Sequence, residues 1–188
     1  MTPEPTPSQT VGPFFHFALL EEDRSKLVSP DHPSAIRIGG TVYDGAGEVV
    51  PDAMLEVWQA NTAGRYGHPE DAREDLPLDE NFSGFGRCGT DAEGRFEFVI
   101  IKPGPVPGPD GRPQAPHISV SVFARGLLKR LATRIYFPDE EAANAADPVL
   151  TSIEDENLRS TLVARAVDGG LRFDVYLQGD RQTAFFDV

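Results

Sequence analysis

The chain has 188 residues, 39% hydrophobic and 25% charged, which is the makeup of an ordinary globular protein long enough to bury a real core. Thirty acidic residues against 17 basic ones give a net charge of −13, which argues against nucleic acid or an anionic membrane as a partner. No apolar run approaches the ~20 residues of a membrane span, no secretory leader is visible, and the single Cys88 excludes an intrachain disulfide framework or a cysteine-rich zinc site. The expected location is the cytoplasm.

Prolines at 3, 5, 7 and 13 make residues 1–13 read as an extended, polyproline-like arm. Such a segment is either a frayed terminus or a docking arm, and it runs into an apolar patch, Val11, Phe14, Phe15, Phe17, Leu19 and Leu20. Residues 36–43, the turn Asp44-Gly45-Ala46-Gly47 and residues 48–50 read as a hairpin, because Asp and Gly tolerate the dihedrals of tight turns. Residues 53–60 form the next strand, with Leu55 and Val57 on one face and Met54, Glu56 and Trp58 on the other. Residues 61–94 read as irregular, and the acidic run from Glu70 to Glu80 as a solvated loop. Further strands are expected at 95–101, 117–124 and 133–137, then a short helix over 139–146 with Pro138 ahead of it. A second hairpin, 161–167 with 171–177, buries Leu171, Phe173, Val175 and Leu177, and 183–186 adds a last short strand. Seven or more short strands divided by Gly, Asp and Pro turns indicate an all-β fold, an antiparallel β-sandwich with minor short helices, in a single domain over 1–188.

The chemistry concentrates in Lys102 to Arg125, a proline-rich loop feeding a strand. There His117, Ser119 and Ser121 share one face, and Ile118, Val120 and Val122 the other. No phosphate-cradling loop, nucleophile elbow or paired-histidine helix is present, and nothing beside Cys88 in SGFGRCGTD would activate its thiol. A tyrosine (Tyr66, in WQANTAGRYGH) and a histidine (His117, in APHIS) fifty residues apart are, on composition alone, ordinary packing residues.

Their surroundings say more. The succession VYDGAGEVVPDAMLEVWQANTAGRY, NFSGFGRCGTDAEGRFEFVIIKPGP and APHISVSVFARG resembles the intradiol ring-cleavage dioxygenases over almost the whole chain. In catalytic members two tyrosines and two histidines hold a non-haem Fe(III), a donor set that suits a hard, oxidised ion. The resemblance puts those four positions on Tyr66, Val106, His117 and Ser119, and an arginine three residues before the histidine pair on Gln114. Two of four ligands are therefore lost, and no metal and no complete catalytic set is expected in this chain alone. The pattern is similar to the iron-free subunit of two-subunit members, whose homologous β subunit carries the iron. That implies a hetero-oligomer acting on a small aromatic dihydroxy acid and O2. By the same resemblance Thr10, Gly12, Pro13, Phe14 and Arg125 line a substrate pocket shared with the partner. Two other readings stand beside this one: a self-sufficient metalloenzyme using Tyr66, His117 and His68, and a binding or structural module on the same sandwich.

Overall fold

Alternating apolar residues build two sheets whose inner faces meet. The computed structural model describes residues 10–108 and 111–187, with Pro13, Phe14 and His16 described by their backbone alone. In chain order the elements are α1 (Pro13–Leu19), β1 (Ala35–Tyr43), β2 (Met54–Trp58), β3 (Phe85–Gly89), β4 (Arg95–Ile101), β5 (Val106–Pro107), β6 (Pro113–Gln114), β7 (His117–Phe123) and β8 (Leu131–Tyr136). Then follow α2 (Glu141–Ala146), a 3-10 turn at Leu150–Ser152, α3 (Glu156–Ser160), β9 (Arg165–Val167), β10 (Gly170–Arg172) and β11 (Val175–Tyr176).

One sheet runs β3-β2-β7-β8 and is antiparallel throughout. In the other, β1 pairs antiparallel with β4 and parallel with β10 and β11, while β9 closes on β10. Leu55, Val57, Ile118, Val120, Val122 and Ile135 from the first sheet pack on Ile38, Val42, Phe96, Phe98, Ile100, Phe173 and Val175 from the second. Residues of the other parity on β2, β7 and β8 therefore face outward. The β-sandwich and its main strands are as the alternation predicts.

The differences have local causes. The parallel pairs on β1 arise because β10 and β11 follow one another along a single edge of β1 in the same direction, a long-range choice that strand parity does not carry. Residues 61–94 contain β3, whose glycines and Arg87 hide its alternation. The arm leads into α1, with Pro13 at the first helical position where its missing N–H costs nothing. Residues 1–9 of the predicted arm lie outside the described residues. The strand expected over 161–167 is shortened by α3, capped by Asp155, whose side chain accepts the Asn157 and Leu158 N–H groups. Residues 48–50 and 183–186 each contribute a single bridge, Tyr43 to Val49 and Ala132 to Phe186. No helix among the described residues is long and apolar enough to cross a membrane.

The parallel pairing makes a specific demand on glycine. A Cβ on Gly40 would stand 1.7 Å from the Phe173 carbonyl oxygen, in the segment whose amide donates to Gly39 O at 2.8 Å. Gly40→Ala is expected to destabilise the fold by about 2–3 kcal/mol, seen as a lower urea midpoint. An unchanged midpoint would contradict this pairing.

Candidate functional site

Strand register arranges the outer face of the four-stranded sheet in rows. Met54 lies opposite Phe123, Glu56 opposite Ser121, Trp58 opposite Ser119, Ser119 opposite Arg134, and His117 opposite Tyr136. On this face one cleft opens at each end of β7, and at ~3.3 Å per residue the six steps from His117 to Phe123 put these two roughly 20 Å apart.

The first cleft, of about 540 Å³, is lined by Trp58, Tyr66, His68, Arg73, Val106 and Gln114, among others. Backbone-to-backbone packing positions Tyr66. Gly64, at φ +78°, would carry a Cβ only 2.2 Å from the Pro105 carbonyl oxygen, and Gly104 N–H donates to Asn61 O at 2.9 Å. Asn61 Oδ1 accepts from the amides of Ala63 and Arg65, both at 3.0 Å, which tightens the turn. Part of the acidic run is structural. Asp71 accepts the Tyr66 amide at 2.8 Å and a bidentate pair from Arg73, at 2.8 and 2.5 Å. The Tyr66 ring stacks on Trp58 at 5.8 Å, and burial raises its phenol pKa above the usual value.

Behind this wall runs a polar network centred on Arg134, a residue the sequence reading passed over. Arg134 Nη1 donates to Gln114 Oε1 at 2.6 Å and to the Tyr136 hydroxyl at 3.2 Å. The Tyr136 hydroxyl donates in turn to Asp147 at 3.3 Å. Asp147 is fully buried and accepts the Ala115, Val149 and Leu150 amides at 2.7–2.8 Å, which fixes the start of β7. His117 is 5% exposed, with Nδ1 2.8 Å from the Ala115 carbonyl oxygen. Because a carbonyl only accepts, Nδ1 carries the proton and Nε2 is left as an acceptor. Outward parity on a strand through 133–137 places Arg134 beside Tyr136. The Asp-Pro pair at 147–148 is a turn signal. Together these could have pointed to the network.

The second cleft, of about 470 Å³, lies under α1 and is lined by Val11, Gly12, Phe15, Phe17, Asp52, Met54, Phe123 and Arg125, among others. Thr10 Oγ1 accepts the Gly126 amide at 3.0 Å, tying the arm to the segment that carries Arg125. Phe15 packs on Phe123 with ring centroids 5.3 Å apart. Arg125 is three-quarters exposed and ion-paired to Asp52 at the rim. Gly12 and Arg125 thus line this cleft with Thr10 close by; the side chains of Pro13 and Phe14 lie outside the described residues. Phe15 supplies the aromatic wall, a position that becomes legible only once α1 is known to be a helix.

These two groups of residues do not meet. Nor do Tyr66, Val106, His117 and Ser119 fit a ferric ion. Val106 has no donor atom and a neutral serine hydroxyl is a poor exchange for imidazole. The positive charge of Arg134 acts on both Tyr66 and His117, so a trivalent cation there would face a fixed like charge. His68, the other candidate donor, accepts the Glu70 amide on Nδ1 at 3.2 Å and sets its ring edge-on to Trp58. Among the described residues no three His, Cys, Asp or Glu side chains gather into a cation site.

Comparison with known proteins gives these clefts a context. The dioxygenase family model matches residues 11–179. The chain is 43% identical over 198 residues to the protocatechuate 3,4-dioxygenase alpha chain of Pseudomonas putida, covering 97% of this chain and 96% of that one. It is 42% identical over 174 residues to the protocatechuate 3,4-dioxygenase beta chain of Burkholderia cepacia, covering 85% of this chain and 72% of that one. Among solved structures it is similar to the dioxygenase domain of a dioxygenase carbohydrate-binding protein fusion from Streptomyces sp. SirexAA-E. That match has a TM-score of 0.57 and 27% identity, covering 94% of this chain and 99% of that one.

The state of His117 can be read from stability. Burial first, and the Arg134 charge second, push its pKa down to about 4. In the unfolded chain an imidazole titrates near ~6.5, so between those values the unfolded state binds more protons. Stability should therefore fall as pH drops from about 6.5 to about 4, by about 3 kcal/mol in all, and be unaffected by this group at higher pH. Asp23, held down to about 2 by Lys26 and Ser25, acts below that window. Urea unfolding of a His117→Gln variant should lose this part of the pH slope; an unchanged slope would contradict a buried neutral imidazole.

Proposed function

The chain belongs to the intradiol ring-cleavage dioxygenase family, and from that premise we propose that it is the iron-free alpha subunit of a protocatechuate 3,4-dioxygenase. The family is iron-dependent. In this reading the iron belongs to the homologous beta subunit, and this chain supplies substrate-pocket walls, charge and an assembly surface. The complex cleaves 3,4-dihydroxybenzoate between its two hydroxyl-bearing carbons, placing both atoms of O2 in 3-carboxy-cis,cis-muconate. The chain acts as one domain, 1–188, with residues 1–13 as an arm directed at the partner, in the cytoplasm.

One observation carries the reading. The cleft that holds Gly12 and Arg125, with Thr10 tied to the Gly126 amide beside it, has a cation and aromatic walls but lies roughly 20 Å along β7 from His117, so these residues cannot serve a reaction at the chain's own former metal position. They can serve one only across an interface. Gly12 is exposed, and a Cβ there would meet nothing within 4 Å, so a flat ring can approach this backbone closely. Arg125 offers a carboxylate a guanidinium whose present partner, Asp52, sits at a solvated rim where such pairs are weak. Pro13 and Phe14 complete the wall in this proposal.

Purified alone, the chain should be colourless and inactive. Co-expressed with an iron-bearing beta chain, it should give a complex with the visible band of phenolate-to-iron charge transfer and ring-cleaving activity. Stoichiometric iron and colour in the isolated chain would contradict the assignment. In the complex, Arg125→Ala should lower kcat/KM for protocatechuate by about tenfold, the loss of one charge-assisted hydrogen bond, with iron content unchanged. Unaltered kinetics would take Arg125 out of the pocket.

A further inference from the structure

We propose that Asp52 is the counter-ion that sets how tightly the pocket at Arg125 holds a carboxylate, a positioning and specificity-determining residue that acts through Arg125. This rests on the placement of Arg125 in the pocket shared with the partner.

Strand register brings the two charges together. β2 and β7 run antiparallel, with Met54 opposite Phe123. Continuing that register two steps beyond both strands, on the same face, sets Asp52 against Arg125, and the two side chains form an ion pair at the guanidinium Nε. Both backbones are held. Asp52 precedes Ala53, which is fully buried and donates its amide to Thr90 Oγ1 at 3.0 Å, while the Thr90 hydroxyl donates to the Val50 carbonyl at 2.8 Å. Arg125 lies between the buried Ala124 and Gly126, whose amide donates to Thr10 Oγ1 at 3.0 Å. With the main chain fixed on both sides, the direction of the long, exposed Arg125 side chain is decided by its partner.

The surroundings give the pair leverage. Asp52 and Arg125 are the two charged residues lining the cleft under α1, whose other walls include Val11, Phe15, Met54 and Phe123. Apolar walls screen charge less than water does, so a carboxylate entering this cleft meets Arg125 as attraction and Asp52 as repulsion. A guanidinium carries five N–H donors, so it keeps terminal donors for a second carboxylate while Asp52 stays on the Nε side. What the ligand gains is the attraction less the repulsion. An uncharged ring meets neither. Asp52 therefore trims the hold on the carboxylate of the substrate and on those of the product alike, which favours release over retention.

The complex with its beta chain tests this through dissociation constants measured by equilibrium dialysis under nitrogen, where no turnover occurs. Asp52→Asn keeps an oxygen for the Nε proton and removes only the charge. It should tighten protocatechuate roughly three- to tenfold and leave catechol, which lacks the carboxylate, unchanged. With O2 admitted, KM for protocatechuate should fall without a rise in kcat, and inhibition by the reaction product should tighten in parallel. Arg125→Ala, measured beside it, should weaken protocatechuate about tenfold. Weakening in Arg125→Ala with no tightening in Asp52→Asn would overturn the role of Asp52 and leave the pocket standing. Equal tightening of catechol would also overturn it, because the effect would then not be on the carboxylate. No change in Arg125→Ala would remove the pocket assignment and this proposal with it.

Discussion

Register across the four-stranded sheet decides what each part of its outer face can do. Pairing Trp58 with Ser119 and Ser119 with Arg134 sets an indole, a hydroxyl and a guanidinium in one row, and the next pair along sets His117 against Tyr136. A slip of one residue would turn all of these into the core and bring Ile118, Val120 and Val122 out to solvent. The apolar inner face holds that register, since those three residues are among the most deeply buried in the chain. Core packing thus determines which polar groups meet on the other side, and the site chemistry is a consequence of it.

Within that frame the residues behind Tyr66 form a hydrogen-bonded framework. Arg134 links Gln114 on the β5–β6 ribbon to Tyr136 on β8, and Asp147 links Tyr136 to the start of β7. Gln114, Tyr136 and Asp147 each have a hydrogen-bond partner in it, which keeps such a network from being a liability. The guanidinium also changes the electrostatics. It places a fixed side-chain cation beside both Tyr66 and His117. At the far end of the same strand, α1 lays Phe15 over Phe123 and leaves Arg125 at the rim. One strand thereby joins a cleft backed by a polar network to an apolar cleft with a cation at its rim.

Much of this was legible in the residues. The period-two alternation of 95–101 and 117–123 gave both strands and their buried faces, because each has one face in the core and one outside. Motif resemblance singled out Thr10 and Arg125, and Thr10 is hydrogen-bonded to Gly126, the residue after Arg125. Arg134 and Asp147 were legible only as an outward-facing side chain and a turn signal, because their meeting in one network depends on register and on a turn far along the chain. α1 was hidden by its composition, Pro-Phe-Phe-His-Phe, which carries no strong helix former before Ala18. The parallel partners of β1 were hidden because a two-residue strand such as β11 has no pattern of its own.

The central claim is that this chain completes an iron site it does not possess. Anomalous scattering at the iron edge, measured on crystals of the complex with its beta chain, tests it most directly. The account predicts one iron per alpha–beta pair, bound by the beta chain and facing the cleft of Gly12 and Arg125, with no peak among Tyr66, His117 and Ser119. An iron peak between Tyr66 and His117 of this chain, or an iron remote from Arg125, would contradict it.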